Sequence, residues 1–196
     1  MTKQEIENYY NSLIKSINEK KEDYKLNNDR THNSTILRCM FNNFTKINMY
    51  CGELSVLRKS FYDYVRKNNK DGAELGNYLE EEINKSFKFF IEKNDSRFRV
   101  ILEKKIDANF DDFICKELFD KYFREGKIEI SSLPDYFGFK KNLDHFAFTD
   151  GGEMIRIEED RVERNAMCVF YNEKLLSMMK DNYKKLSEIS EPFKGN

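Results

Sequence analysis

The chain has no tryptophan, no excess of either charge, no paired cysteines and no long apolar run. Each absence excludes something. The 34 Lys and Arg residues against 35 Asp and Glu leave a formal net charge of −1. A chain-wide electrostatic footprint for nucleic acid or anionic lipid is therefore missing, and only a local patch could serve that purpose. No apolar run approaches the roughly 20 residues of a membrane-spanning helix, so no membrane partner is expected. Cys39, Cys51, Cys115 and Cys168 form no CxxC pair, and His32 and His145 supply no zinc spacing. No metal and no cofactor is expected. P-loop, GxGxxG, GxSxG and HExxH patterns are all absent. The first twenty residues are polar and charged, unlike a signal peptide. The expected setting is reducing and cytoplasmic.

What is present is core material. Phe and Tyr number 17 and 11 in a chain of 196 residues, enough for one domain with an extension. Apolar residues at helical spacing run through residues 3–26 (Ile6, Tyr9, Leu13, Ile17), 35–44, 55–67, 73–92, 110–124 and 173–187. Asn27 to Asn33 reads as a polar break in which Asn33 or Ser34 caps the second helix and His32 is a solvated or capping side chain. Short apolar or alternating runs at 46–52, 97–103 and 127–132 read as strands. The end changes character: 144–149 and 153–158 flank Gly151-Gly152 as a hairpin, and 165–170 adds a strand. Helix-linked early strands favour a parallel or mixed sheet flanked by helices. The fold class is α/β, with an N-terminal helical extension over residues 1–45 and an α/β domain over 46–196.

This order, with DHFAFTDGG from Asp144 followed by NAMCVFYNEKLLSMMKDNYKKL from Asn165, resembles one half of the phospholipase D-like superfamily. There, a strand bearing H-x-K-x-x-x-x-D leads into a turn, further strands and a closing helix. With Asp150 on the motif aspartate, the nucleophilic histidine falls on Leu143 and the lysine on His145. Glu158 and Asp160 stand where the family has Ser and Asn. The family's chemistry needs an imidazole to attack phosphorus and another to protonate the leaving oxygen. The resemblance therefore implies a half-domain with a degenerate motif, expected to be non-catalytic. A shifted match that makes His145 the nucleophile puts Ala147 and Gly152 at its partner positions.

A charged stretch follows, with Glu153, Arg156, Glu158, Glu159, Asp160, Arg161, Glu163 and Arg164 within twelve residues. Exposed pairs in such a stretch contribute about 0–1 kcal/mol each. Its sharper reading is a recognition surface in which Arg156, Arg161, Arg164 and Glu158 bind a polar group. Gly52 to Ser55, after the first strand of the domain, is a second candidate, because ligands in open α/β sheets bind at the carboxyl ends of strands.

Three functions follow. The first is a non-catalytic binding or assembly module, acting as a homodimer on a protein partner or nucleic acid. The resemblance suggests bacterial nucleic-acid processing or phage defence as its setting. The second is a homodimeric phosphodiesterase or nuclease using His145 from each chain, with Asp150 as its motif aspartate. The third is a regulatory or scaffold subunit.

Overall fold

One sheet with two apolar faces organises the chain. A computed structural model describes residues 1–27, 29–103, 110–134, 143–160 and 165–193, with only the backbone of Glu159, Asp160 and Asn165. Among these residues the elements run α1 (Lys3–Glu19), β1 (Asp23–Asn27), α2 (Arg30–Asn43), β2 (Lys46–Cys51), α3 (Lys59–Asn68), α4 (Gly72–Glu92), β3 (Arg97–Leu102), α5 (Lys116–Arg124), β4 (Ile128–Ser132), β5 (Phe146–Thr149), β6 (Ile155–Asp160), β7 (Asn165–Phe170), α6 (Glu173–Ile189) and β8 (Glu191–Pro192). The spatial order is β1-β7-β6-β5-β2-β3-β4-β8. β2 pairs in parallel with β3, and β3 with β4, across helical crossovers; every other pairing is antiparallel. The architecture is α/β with a mixed sheet.

The period-2 alternation of the strands sends successive side chains to opposite faces. Ile47, Phe98, Val100, Ile128, Ile130, Ala147 and Cys168 join a core with Ile6, Leu13, Ile36, Met40, Phe61 and Phe87 from the large helical layer. Tyr50, Ile101, Phe146, Phe148 and Ile155 point the other way and are covered by Met179 and Leu186 of α6. Arg38 ties α1 to α2 and α4, with Glu7 and Glu82 each 2.6 Å from its guanidinium.

Four local expectations change. Residues 3–26 are not one helix: α1 stops at Lys20, which takes the left-handed conformation at φ 52°, and β1 follows. Asp29, not Asn33 or Ser34, caps α2, its carboxylate accepting from the Thr31 amide at 2.7 Å. Residues 110–115 form no helix, because their backbone pairs elsewhere: Ile114 N–H donates to Leu57 and Lys59 N–H to Asp112. His32 is neither solvated nor a cap. It stacks on Tyr9 with centroids 3.8 Å apart, and its Nδ1 is buried without a hydrogen-bond partner among the described residues.

The cysteines are all free thiols. Burial pushes Cys51 and Cys168 up to about 12, so neither is a thiolate at neutral pH. No helix among the described residues is long and apolar enough to cross a membrane.

Candidate functional site

The parallel core of the sheet, β2 and β3, ends beside the start of β5, and this junction creates the cavity. Gly52 follows β2, Glu103 follows β3, and His145 precedes β5. β2 pairs with both neighbours, so these three positions are brought together at the ends of adjacent strands, beside α2. Gly52 lies against the imidazole: a methyl group there would sit 3.4 Å from His145 Cε1. The loop then turns through Leu54, whose φ of 54° is left-handed. That conformation costs about 1–2 kcal/mol for a residue with a Cβ, and the Leu54 side chain, only 4% exposed, anchors it in the core.

The cavity has a volume of ≈ 350 Å³. At about 30 Å³ per water-sized group it holds roughly a dozen heavy atoms. One wall is apolar, with Ile36, Leu37 and Met40 from α2 facing Leu57 and Phe61. The opposite wall is polar and comes from β6, where Arg156 and Glu158 share one face by alternation.

His145 is held between two carboxylates. Its Nε2 lies 2.9 Å from Glu103 Oε2 and its Nδ1 lies 2.6 Å from Glu158 Oε2. The side chains of all three groups are less than a fifth exposed. The Nε2 contact is a hydrogen bond, and the Nδ1 contact is a close approach of the Glu158 carboxylate to the ring.

Arg156 completes the polar wall. Its Nη2 lies 3.9 Å from Glu158 Oε1, and its Nε and Nη2 donate to Asn33 Oδ1 at 3.1 and 2.9 Å. Asn27 Nδ2 donates to the same oxygen at 2.8 Å. Asn27 is fully buried, so the end of β1 supports α2, and α2 supports the arginine. The lining brings three carboxylates, Glu53, Glu103 and Glu158, together with two guanidiniums, Arg30 and Arg156, so carboxylates are in excess by one.

The residues singled out from sequence are distributed unevenly. His145, Arg156, Glu158 and the 52–55 turn come together. Asp150 stands at the far end of β5, accepting a hydrogen bond from Asn48 at 2.6 Å. About 17 Å of extended chain separates it from His145, at ~3.4 Å per residue. Leu143 packs against the α6 side of the sheet. Arg161 and Arg164 lie outside the described residues, as do the side chains of Glu159 and Asp160. No sequence pattern assigns Glu103, Asn33 or Asn27 to the site. The only sequence signal for Glu103 is its place one residue beyond a parallel strand. Among the described residues, no group of three His, Cys, Asp or Glu side chains is arranged to hold a metal ion.

Neither a family model nor a curated protein matches the sequence. Solved structures match in shape. Nuc from Salmonella typhimurium, a phospholipase D family member, matches with a TM-score of 0.52 at 8% identity, over 89% of this chain and 100% of that one. The fold is phospholipase D-like. TrmBL2, an archaeal chromatin protein, also matches with a TM-score of 0.52, at 15% identity, over 86% of this chain. The chain spans 53% of that protein. At these identities the phospholipase D-like likeness is one of fold.

Proposed function

We propose that the chain is a non-catalytic phospholipase D-like binding module whose cavity takes a small, polar ligand without net charge. The Glu103–His145–Glu158 triad carries this reading. A phosphodiesterase of this family needs a free imidazole to attack phosphorus and a cation to hold the phosphate. Here the one histidine among the described cavity residues has a carboxylate against each ring nitrogen, and the resemblance sets a carboxylate at the position of the family's serine. A phosphate about 4 Å from one uncompensated carboxylate meets a repulsion of ~4 kcal/mol at an effective dielectric constant of 20. That is roughly a thousandfold in affinity.

Ligand chemistry follows from the two walls. The apolar side takes a hydrocarbon portion, and Arg156, Glu158 and Glu103 take hydroxyl, amide or zwitterionic groups. Asp150 has no part in this reading. Homodimerisation is part of the proposal, and so is a regulatory or scaffold role in which ligand occupancy changes a partner contact.

The test is thermal stabilisation by a panel of neutral and zwitterionic compounds of about a dozen heavy atoms, beside inorganic phosphate. A ligand at 100 times its Kd stabilises the fold by about 2.7 kcal/mol. The expected outcome is a raised Tm with a member of the first group, lost in Arg156→Ala, and no shift with phosphate. Stabilisation by phosphate alone would overturn the reading.

A nucleic-acid partner is the second reading, in the setting of nucleic-acid processing or phage defence. Its support is the exposed row Lys174, Lys180, Lys184 and Lys185 on α6; TrmBL2 is itself described as having a novel mode of DNA binding. Binding through such a row would weaken steeply with salt. Absence of binding at low salt would remove this reading.

A further inference from the structure

The floor of the cavity is a row of side chains across the sheet. Met49 of β2 stands opposite Ala147 of β5, and Ala147 stands opposite Arg156 of β6. Residues paired in this way share one face of a sheet, and all three line the cavity. Ala147 is the smallest of them, so the floor is deepest there, between a methionine and an arginine. The neighbouring row is polar. Glu103 N–H donates to the Cys51 carbonyl at 2.8 Å and Glu158 N–H to the His145 carbonyl at 2.9 Å, which sets Glu103, His145 and Glu158 side by side.

Opposite charges meet where the two rows join. The Arg156 and Glu158 side chains are 14% and 10% exposed, with Nη2 3.9 Å from Oε1. Arg156 turns Nε and Nη2 to Asn33. Among the described residues Nη1 makes no hydrogen bond, and its N–H groups are left for an acceptor. Glu103 and Glu158 concentrate negative charge around His145, and over the whole lining carboxylates exceed guanidiniums by one. That field favours a cationic group beside the acceptor. Across the cavity stand Leu37 and Met40 of α2 with Leu57 and Phe61, a wall that suits hydrocarbon.

We propose that the ligand of this cavity is a free α-amino acid with a large apolar side chain. The proposal rests on the binding-module reading above and names its ligand class. The α-carboxylate accepts from Arg156 Nη1, the α-ammonium lies against Glu158 and Glu103, and the side chain crosses to the α2 wall.

Both head groups of an amino acid sit on one carbon, as the guanidinium and carboxylate that would receive them sit next to one another on β6. A neutral alcohol or amide sets only a dipole against these two half-enclosed charges. A zwitterion meets each with its opposite, in hydrogen bonds about twice as strong as those between neutral groups. Size points the same way. The ≈ 350 Å³ of the cavity holds roughly a dozen heavy atoms, which is the size of phenylalanine, whereas glycine leaves the apolar wall uncovered.

Isothermal titration calorimetry on the wild-type chain tests the proposal with phenylalanine, methionine, leucine, glycine and two truncated probes. Phenethylamine lacks the carboxylate and 3-phenylpropionate lacks the ammonium. At least one large apolar amino acid is expected to bind, and glycine is not. Against phenylalanine, each truncated probe binds at least about tenfold more weakly, the loss of one charge-assisted hydrogen bond. Arg156→Ala lowers the affinity for phenylalanine to that for phenethylamine and leaves the amine's own affinity unchanged, a split that general loss of structure does not produce. Ala147→Leu fills the floor with every polar group intact and abolishes binding. The probes on the wild-type chain decide the class without any variant: phenethylamine or phenylpropionate binding as tightly as phenylalanine would overturn it. No binding by any of the three large amino acids, with a neutral compound still raising Tm, would overturn this inference and leave the binding module standing. Stabilisation by phosphate alone would overturn both.

Discussion

His32 is an imidazole whose protonation works against the fold. Burial holds its pKa below the usual histidine value, outweighing the attraction of Asp29 and Glu5. The unfolded chain then binds a proton that the folded chain resists. Stability is complete above the unfolded value of about 6.5 and declines as pH falls towards the folded value. His32→Phe, which retains the stack on Tyr9, is expected to flatten the decline in urea midpoint between about pH 6.5 and 5. An unchanged acid slope in that variant would mean that His32 does not titrate with folding.

Arg156 acts at the same scale. Removing it leaves Asn33 with one of its side-chain donors and withdraws the cation beside Glu158. Arg156→Leu is expected to cost roughly 1–3 kcal/mol, the range for stranding a buried polar group. The urea midpoint measures this. A loss below about 0.5 kcal/mol, as for an ordinary surface substitution, would show that the arginine is not part of a buried network. Its position two residues before Glu158 was legible, because alternation in a strand puts both on one face. Glu103 and Asn33 were not: they lie 42 and 123 residues from their partners His145 and Arg156, and only tertiary pairing closes those distances.

At the scale of the elements, the turn between β5 and β6 is locked to α6. Gly152 has φ 74°, and a Cβ there would meet Leu176 Cδ2 at 2.3 Å. Gly152→Ala combines left-handed strain of about 1–2 kcal/mol with displacement of Leu176, so a fall in stability of at least that size is expected in thermal unfolding. The same change at Gly126, φ 73° but with nothing within 4 Å, serves as the control for strain without the contact. Equal losses at the two sites would deny that α6 presses on the turn.

Most elements could be read from periodicity, and the exceptions share a cause. β1 was hidden because α1 ends on a left-handed lysine in place of glycine, leaving no visible stop before Tyr24 and Leu26. Residues 110–115 have helical spacing in Phe113 and Ile114, yet their backbone pairs with the 57–59 segment. Local pattern gave the correct apolar positions there and could not reveal a competing backbone partner. The α4 helix and strands β2 to β4 were clear because each packs one continuous apolar face against the sheet or its helices.

Across the whole molecule, the sheet separates two surfaces. The helical side holds a mixed-polarity cavity at the ends of β2 and β3. The α6 side presents an apolar groove at an open edge. Within this phospholipase D-like fold Leu143 packs on the α6 side, and His145 lies between Glu103 and Glu158. The central claim is that this cavity binds and does not hydrolyse. The direct measurement is turnover of bis(p-nitrophenyl) phosphate, in EDTA, by the wild-type chain and by His145→Ala. The account predicts no release above background from either protein; metal-independent hydrolysis by the wild type that disappears in His145→Ala would contradict it.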